Sequence, residues 1–265
     1  MAQLFSRGQT SAIDLDQWDA DRKTITGMHK GRRHDLKKAR LALRVNLSSG
    51  QEAKRNLRTF RVLYKESMER VHADRFFFFS EAYFNHLADE LDEKFAVATA
   101  WAGDLPVASS IFLADRDFLH YHLAASNEDG KRHAAATLHI IAASEWAVQR
   151  RCTFLHLGGG LSDNDGLWRF KHSFGGKAFT YSYMALISDW QRYEALQHLP
   201  GIRWPYTNPA EQKLQPGKSR VSRPIRPKAI KRKVVGIGAG GHAKVIIDIL
   251  SHSPGFQVVG LVEVA

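Results

Sequence analysis

Apolar positions in the first half of the chain recur at helical spacing. Between residues 51 and 71 they fall three or four positions apart, which predicts an amphipathic helix. A second helix is predicted over residues 80–91, with Ser80 as its N-cap and Glu81 in its first turn. Residues 34–43 predict a shorter, basic helix, whereas the polar segment before it is expected to hold one short strand, over residues 12–15.

The hydrophobic period changes after residue 94. Three strand-like segments follow one another with short turns between them, which predicts an antiparallel meander over residues 95–101, 107–113 and 118–124. The remaining predicted elements are a long helix over 131–150, a strand over 153–157, a helix over 167–174, a strand over 178–187 and a helix over 189–198. This order of elements predicts an α+β fold.

The chain changes character at residue 199. Residues 199–232 are rich in proline and in basic residues and poor in large apolar residues, which is typical of a linker. Nine basic residues and no acidic residue lie between Lys213 and Lys233, and they account for most of the formal net charge of +11. The charge is therefore a local feature, interpreted either as a solvated linker or as a patch for an anionic partner.

Composition excludes several classes of protein. Cys152 is the single cysteine, so no intramolecular disulfide can form, and we interpret it as a buried thiol. No Cys/His cluster has metal-ligand spacing, and no apolar run reaches the roughly 20 residues of a membrane span. The first residues lack the apolar core of a signal peptide, so we expect a cytoplasmic protein without a metal site.

A glycine-rich motif follows the linker. Gly236, Gly238 and Gly241 satisfy a Gly-x-Gly-x-x-Gly pattern between a predicted strand and a predicted helix, and Glu263 ends a second predicted strand. Residues 238–245 resemble the start of NeuD/PglD-like sugar O-acyltransferases. The resemblance implies an incomplete Rossmann-like βαβ start over residues 233–265, which would bind a nucleotide-sugar through Gly236, Gly238, Gly240, Gly241, His242 and Glu263.

A second resemblance covers residues 10–190. The motifs that carry it lie, in order, at residues 33–39, 63–70, 121–126, 155–160 and 170–175. The most distinctive of them are Leu-His-Leu-Gly-Gly-Gly and, soon after, Phe-Lys-x-x-Phe-Gly. The ordered set resembles the FemAB-like and BioF2-like acyltransferases. This resemblance implies a GNAT-like mixed sheet with flanking helices.

The two resemblances suggest a division into four parts. Residues 1–45 are interpreted as the remnant and linker helix of a first GNAT-like half, and residues 46–198 as a FemAB/BioF2-like GNAT domain. Residues 199–232 form the linker, and residues 233–265 form the nucleotide-sugar segment. Family members carry a whole GNAT-like half before the basic helix, so we expect the substrate contacts of that half to be missing from this chain.

The resemblance also suggests where an acyl donor binds. In GNAT folds the donor lies between two strands that splay apart, and its pyrophosphate rests at the start of the next helix, where free amides favour anions. The corresponding donor-binding residues are Asn127, Gly130, Lys131, Arg132, Gly158, Gly159 and Gly160. Two other interpretations stay open: the helix start is an ordinary capped one with surface charges, and the three glycines form a strand-to-loop turn.

Four residues are candidates for catalysis, namely His120, His122, Asp163 and Lys171. The two histidines alternate on a predicted strand, so both are expected to face one side, and either could accept a proton at neutral pH. Asp163 could orient an acceptor amine, and Lys171 could bind a phosphate or carboxylate. Each residue also has a structural interpretation, as a packed histidine, a turn-forming aspartate or a solvent-exposed lysine.

We therefore expect an N-acyltransferase with small-molecule substrates. Its donor would be acetyl-CoA or another acyl-CoA, bound as a co-substrate, with no tightly bound cofactor, and its acceptor an amino-sugar or other precursor of the cell envelope or of a polysaccharide. One alternative is an aminoacyl-tRNA-dependent transferase that extends a peptidoglycan peptide, in which the basic helix contacts RNA. The other is a non-catalytic fragment of a fused gene.

Overall fold

The computed structural model describes residues 2–160, 164–186, 232–237 and 256–262. The strands are β1 (Ala2–Asp14), β2 (Trp18–Asp19), β3 (Thr24–Ile25), β4 (Arg44–Ser49), β5 (Phe95–Ala102), β6 (Leu105–Asp115), β7 (Phe118–Ser126), β8 (Phe154–Gly158), β9 (Lys177–Leu186), β10 (Arg232–Ile237) and β11 (Phe256–Val262). The α-helices are α1 (Lys30–Ala42), α2 (Gly50–Arg70), α3 (Glu81–Leu91), α4 (Glu128–Arg132), α5 (Ala135–Gln149) and α6 (Gly166–His172).

Seven strands form one mixed sheet in the order β4-β5-β6-β7-β8-β1-β9. Every neighbouring pair is antiparallel except β7 and β8, which run parallel because α4 and α5 cross over between them. The meander of β5, β6 and β7 is the one that the sequence predicts. The α+β prediction, with a mostly antiparallel sheet flanked by helices, is confirmed.

Helices cover both faces of this sheet. On one face α1 and α5 pack in a core that includes Leu36, Ile140 and Phe174. On the other face α2 and α3 pack in a core centred on Phe60 and Phe84, whose ring centroids lie 5.5 Å apart. Burying each of these large side chains stabilises the fold by about 1.5–3 kcal/mol.

The predictions for the amphipathic helices are confirmed. α2 and α3 lie within a residue of their predicted bounds, and the Ser80 hydroxyl accepts a hydrogen bond from the Tyr83 amide, as an N-cap should. Cys152 is buried, as expected.

The sequence prediction misses most of β1. Only residues 12–15 are predicted as a strand, but β1 begins at Ala2 and lies between β8 and β9, pairing with both. Much of its sequence is polar, with Gln9, Thr10 and Ser11 in a row, so the alternation of a half-buried strand is weak. β1 falls within residues 1–45, which the sequence-based division separates from the main domain, yet it belongs to the main sheet. β4, an edge strand, is also missed.

The single helix predicted over residues 131–150 is wrong. The structure has a short α4, then a break at Ala134, whose backbone is left-handed with φ of 55°, and then α5. The alanine-rich sequence around the break favours helix throughout, so nothing local indicates it. The break turns α5 onto the face of the sheet beside α1.

Gly130 in α4 packs tightly against the sheet. A Cβ atom at this position would collide with the carbonyl oxygen of Val107 on β6, and the Val107 carbonyl also accepts a hydrogen bond of 3.0 Å from the Asn127 amide. The Asn127 side chain in turn accepts from the Gly130 amide at 2.9 Å. The absence of a side chain at Gly130 is thus required by backbone packing.

β10 and β11 form a separate parallel pair. Two strands are predicted in this part of the chain, and the helix predicted between them lies outside the described residues. The predicted helix over 189–198 and the linker also lie outside them, and the four-part division of the chain remains a prediction.

Gly130→Ala should destabilise the protein by about 1–3 kcal/mol, because the new methyl group forces β6 and α4 apart. Urea unfolding followed by circular dichroism would measure the change. Gly166→Ala is the matched control, since a Cβ there meets no atom within 4 Å. Equal stability of the two variants would show that α4 can shift away from β6 at no cost. Packing would then not explain Gly130, and its predicted role in donor binding would be favoured.

His139 should make the fold sensitive to acid. It is buried in α5, where its Nδ1 lies 2.8 Å from the Ser110 hydroxyl, and burial lowers its pKa to about 3. Below pH 6.5 the unfolded chain binds a proton at this site that the folded chain does not bind. The free energy of unfolding therefore falls with acidification, by up to about 1.4 kcal/mol per pH unit for this group.

His139→Gln should consequently show a shallower loss of stability between pH 6.5 and 4.5 than the parent protein, measured by urea unfolding at each pH. His86→Gln, at an exposed position of α3, is the control and should keep the parent slope. If the free energy of unfolding depends on pH equally in the parent and in His139→Gln, the acid sensitivity does not arise from His139.

Candidate active site

β7 and β8 pair over three positions and then separate. The pairs are Phe118 with Phe154, Leu119 with Leu155, and His120 with His156. Beyond them β7 continues to Ser126 and β8 to Gly158, and in the described part of the chain no strand pairs with these diverging edges. The two strands thus form a fork, defined here as the gap between residues 121–126 and residues 157–159. Its edges offer backbone donors and acceptors to a ligand.

A β-bulge lies on the β7 arm of the fork. Along β6 the register moves from Ile111 opposite Leu123 to Phe112 opposite Tyr121, so His122 is an extra residue without a partner in this ladder. Bulges of this kind redirect side chains and are common beside active sites. The bulge explains how Tyr121 packs towards α5 while Leu123 packs towards α2.

Two histidines meet at the root of the fork. His120 and His156 occupy equivalent positions of two parallel strands, and their Nδ1 atoms lie 3.4 Å apart. Burial lowers the pKa of His120, and the charge of Asp115 partly opposes this effect. Burial, together with the charges of His120 and Lys171, lowers the pKa of His156 to about 4. Both rings are therefore neutral at pH 7.

His122 faces a different partner. Its Nε2 lies 3.0 Å from the Tyr83 hydroxyl on α3, and its Nδ1 has no hydrogen-bond partner among the described residues. Burial, followed by the charge of His120, lowers its pKa to about 4. His122 is thus a weaker base than the sequence-based expectation assumes.

Lys171, on α6, contacts the other arm of the fork, at Gly159. Asp165 caps α6 by accepting from the Trp168 amide at 2.6 Å, and the helix then directs Lys171 towards the end of β8. The lysine is only 8% exposed, and its Nζ donates to the Gly159 carbonyl at 2.7 Å. Burial lowers its pKa to about 8, opposed by the charge of Asp165. The alternative of a solvent-exposed lysine is therefore wrong.

The three glycines at the end of β8 have separate roles. Gly158 has φ of 74°, and a Cβ there would lie 3.5 Å from the Lys171 ammonium. A Cβ on Gly159 would lie 2.8 Å from the Gln9 carbonyl of β1, and one on Gly160 would collide with the Asp165 carboxylate. Close packing against β1 and α6 therefore accounts for Gly159 and Gly160, while the left-handed turn at Gly158 opens the arm towards Lys171.

The predicted donor-binding cations on α4 are neutralised within their own turn. Lys131 pairs with Glu128 at 3.0 Å, and Arg132 pairs with Asp129 at 2.9 Å. Arg70 from α2 adds a further ion pair to Glu128 at 3.2 Å. Two carboxylates at the start of this helix disfavour an approaching pyrophosphate. The donor site at Asn127–Arg132 remains a prediction, and these residues provide a poor fit to the phosphates of CoA.

Several predicted site residues cannot be placed. Asp163, Gly238, Gly240, Gly241, His242 and Glu263 lie outside the described residues, and of Gly236 only the backbone in β10 is described. These assignments remain predictions. No cluster of three or more metal-ligating side chains occurs among the residues that the structure describes.

Two residues of the site, His156 and Tyr83, are not among those predicted from the sequence. His156 stands inside the Leu-His-Leu-Gly-Gly-Gly motif, of which only the glycines are predicted as site residues. The order strand, helix, strand predicts a parallel crossover, so the approach of His120 and His156 could have been inferred from topology. Nothing in the sequence indicates the contact between Tyr83 and His122.

The structure is similar to several solved structures at low sequence identity. It matches FemX with a TM-score of 0.58 and 14% identity, over 71% of this chain and 63% of that chain. It matches the C-terminal domain of a putative lysylphosphatidylglycerol synthetase from Agrobacterium fabrum with a TM-score of 0.54 and 14% identity, over 74% and 65%. The similarity to L-PGS from Bacillus licheniformis has a TM-score of 0.50 and 16% identity, over 69% and 60%.

At these identities the similarity shows a shared fold, and the chain spans less than two thirds of each of these structures. No curated protein sequence matches the chain. None of the helices that the structure describes is long and apolar enough to cross a membrane.

The sequence itself matches a known family. The family described as acetyltransferase (GNAT) domain matches residues 22–172, which is more than half of the chain and includes α1 to α6, the fork, both histidines at its root and Lys171. The fold, the parallel crossover and the sequence match agree, and the chain belongs to the acetyltransferase (GNAT) domain family of transferases.

Proposed function

We propose that the chain transfers an acyl group from an activated donor to the amine of an amino-sugar or another cell-envelope precursor. The observation that carries the proposal is the fork, which has a pair of neutral imidazoles at its root and a buried cation, Lys171, against one arm. Acyl transfer to an amine requires a proton acceptor, a positive charge near the developing oxyanion, and close approach of the two substrates.

His120 is the best proton acceptor of the three histidines. Burial lowers the pKa of His122 and of His156 to about 4, whereas Asp115 partly offsets the lowering of the His120 pKa. In the reaction the amine nitrogen attacks the acyl carbonyl carbon, a C–N bond forms, and the bond from that carbon to the leaving sulfur or oxygen breaks. The amine proton passes to His120 and from there to the leaving group.

Lys171 supplies the positive charge. Its pKa of about 8 leaves it mostly protonated at neutral pH, although burial makes the charged form costly. A buried cation beside an open fork is typical of a functional site, because a purely structural role could be filled by an uncharged side chain. The ammonium would stabilise the oxyanion or the departing group.

Exposed aromatic rings support a sugar acceptor. Phe118 and Phe179 are 42% and 43% exposed, and Phe154 stacks on Phe118 with a centroid distance of 5.7 Å. Phe118 also stacks on His120, so this aromatic surface continues to the root of the fork. Aromatic faces of this kind pack well against the apolar face of a sugar ring while its polar groups stay solvated.

The donor class has two candidates. An acyl-CoA follows from the family, but the ion pairs of Lys131 and Arg132 leave few free charges for its phosphates. An aminoacyl-tRNA is favoured by α1, which exposes a row of cations without an ion-pair partner among the described residues: Lys30, Arg33, Lys37 and Lys38. The name lysylphosphatidylglycerol synthetase, carried by a structural relative, also supports an aminoacyl group in an envelope product.

Calorimetric titration of the full chain with acetyl-CoA, aminoacyl-tRNA and a UDP-amino-sugar should reveal the donor and the acceptor. An acyl-CoA enzyme binds acetyl-CoA and converts the UDP-amino-sugar to its N-acetyl product, detected by mass spectrometry. A tRNA-dependent enzyme binds the tRNA with an affinity that falls steeply with salt.

Lys37→Gln combined with Lys38→Gln separates the two donors, because it should weaken tRNA binding and leave acetyl-CoA binding unchanged. If none of the three ligands binds and no product forms, the transferase proposal for this chain fails and the non-catalytic alternative is favoured.

Lys171→Met should reduce acyl transfer by about 10²- to 10³-fold, because it removes the positive charge from the fork. The parent rate should also fall as the pH rises through about 8, where Lys171 loses its proton. Lys65→Met, at an exposed position of α2, is the matched control. Full activity of Lys171→Met would assign the lysine to packing.

The same variant should change the pH dependence of stability. Between pH 8 and 10 the unfolded chain keeps a proton that folded Lys171 releases, so the free energy of unfolding of the parent gains up to about 1.4 kcal/mol per pH unit from this group. Lys171→Met lacks this gain, and urea unfolding at each pH measures the difference.

A further inference from the structure

His120 and His156 can share one hydrogen at the root of the fork. The Nδ1 atoms of His120 and His156 are 3.4 Å apart, and burial lowers the pKa of both rings, so both are neutral at pH 7. Two neutral imidazoles can form a hydrogen bond through these atoms only if one Nδ1 carries a hydrogen and the other presents its lone pair. The ring that donates through Nδ1 keeps a free lone pair on its Nε2.

The surrounding charges are different at the two rings. Asp115, the last residue of β6, favours positive charge on His120, whereas Lys171 on α6 disfavours positive charge on His156. His122 is neutral at pH 7, and the Asp14–Lys177 ion pair of β1 and β9 lies beyond Phe154, with the Lys177 ammonium 5.9 Å from that ring. The field therefore places a gained proton on His120 and keeps His156 as the neutral acceptor.

We propose that His156 is a positioning residue, whose Nδ1 accepts a hydrogen bond from the Nδ1–H of His120 and so leaves the lone pair on His120 Nε2 to take the proton of the attacking amine. This role rests on the proposed acyl transfer. After proton transfer His120 carries hydrogens on both nitrogens, and the unchanged lone pair of His156 stabilises the imidazolium. His156 gains no proton, and the leaving group finally receives the proton from His120 Nε2.

The rest of the fork supports this orientation. His156 is fixed by β8, which pairs with β7 on one side and with β1 on the other, where Ala12 stands opposite it. The ring of Phe118 stacks on His120 at 6.0 Å and restricts its rotation. The two rings meet at an angle of 66°, with centroids 5.2 Å apart, and their Nδ1 atoms lie within hydrogen-bonding distance at 3.4 Å. Without an acceptor, neutral His120 could carry its hydrogen on either ring nitrogen. A neutral acceptor at Nδ1 fixes the hydrogen on Nδ1.

Nitrogen NMR of the histidine-labelled full chain tests the tautomer without any substrate. At pH 7 His120, assigned by the signals that His120→Gln removes, should carry its hydrogen on Nδ1 and none on Nε2. In His156→Phe this preference should be lost. A parent protein with the hydrogen of His120 on Nε2 would overturn the proposal, whether or not the chain proves to be a transferase.

Kinetics with the donor and acceptor that support turnover provide the second readout. His156→Phe should lower kcat by about 10- to 100-fold with little change in KM and should shift the histidine limb of the pH–rate profile. His156→Gln should recover part of the rate, because its amide oxygen can accept from His120 Nδ1–H. His86→Gln serves as the surface control, and circular dichroism checks that each variant folds.

Two results would exclude the role of His156. One is an unchanged kcat and pH profile in both variants at position 156 while Lys171→Met is inactive, which would retain the transferase and remove only the positioning residue. The other is activity that depends on added Zn²⁺ and is abolished by a chelator, which would assign the two Nδ1 atoms to a metal. Should no donor support turnover, the function proposed above fails, and the NMR result alone decides the state of the pair.

Discussion

The parallel pairing of β7 and β8 over only three positions is the constraint on which the site depends. A longer pairing would close the fork, and a shorter one would leave His120 and His156 out of register. The pairing can be this short because β8 is held from its other side by β1, which contacts it from Ser11 to Asp14. β1 thus stabilises β8 in place of a longer pairing with β7. The edge of β8 that faces β7 can therefore stay open.

The same arrangement concentrates unfavourable burial at one place. A lysine and three histidines lie in or beside the fork, and burial penalises the charged form of each. The fold tolerates Lys171 because the Gly159 carbonyl accepts from it and the charge of Asp165 opposes part of the desolvation. Folding alone favours apolar residues at such positions. Their polar character is therefore best explained by chemistry, which is the argument for locating the active site here.

Some elements of this fold can be predicted from the local sequence, and others cannot. The strong helical period of α2 and α3 arises from side chains that pack on one face, and the apolar runs of β5 and β6 arise because these strands are buried on both faces. In both cases the local sequence carries the information. β1 depends on distant contacts, namely the two strands beside it, and no local pattern indicates either β1 or the break at Ala134. His120, Lys171 and the glycines at the end of β8 could be selected from the sequence. Their pKa shifts and the part played by His156 required the three-dimensional arrangement.

Charge distribution bears on how the fork is supplied with its donor. Acidic residues on α4 neutralise the cations that would hold a pyrophosphate beside β7, and Arg70 strengthens that network from α2. A row of cations without an ion-pair partner among the described residues lies on α1, across the sheet from α2 and α3. A polyanion attracted to α1 would be held at a distance from the fork, so only an extended donor, with its acyl group far from its main charges, could use both surfaces at once. A compact acyl-CoA would have to displace the ion pairs of α4, at a cost that grows as the salt concentration falls.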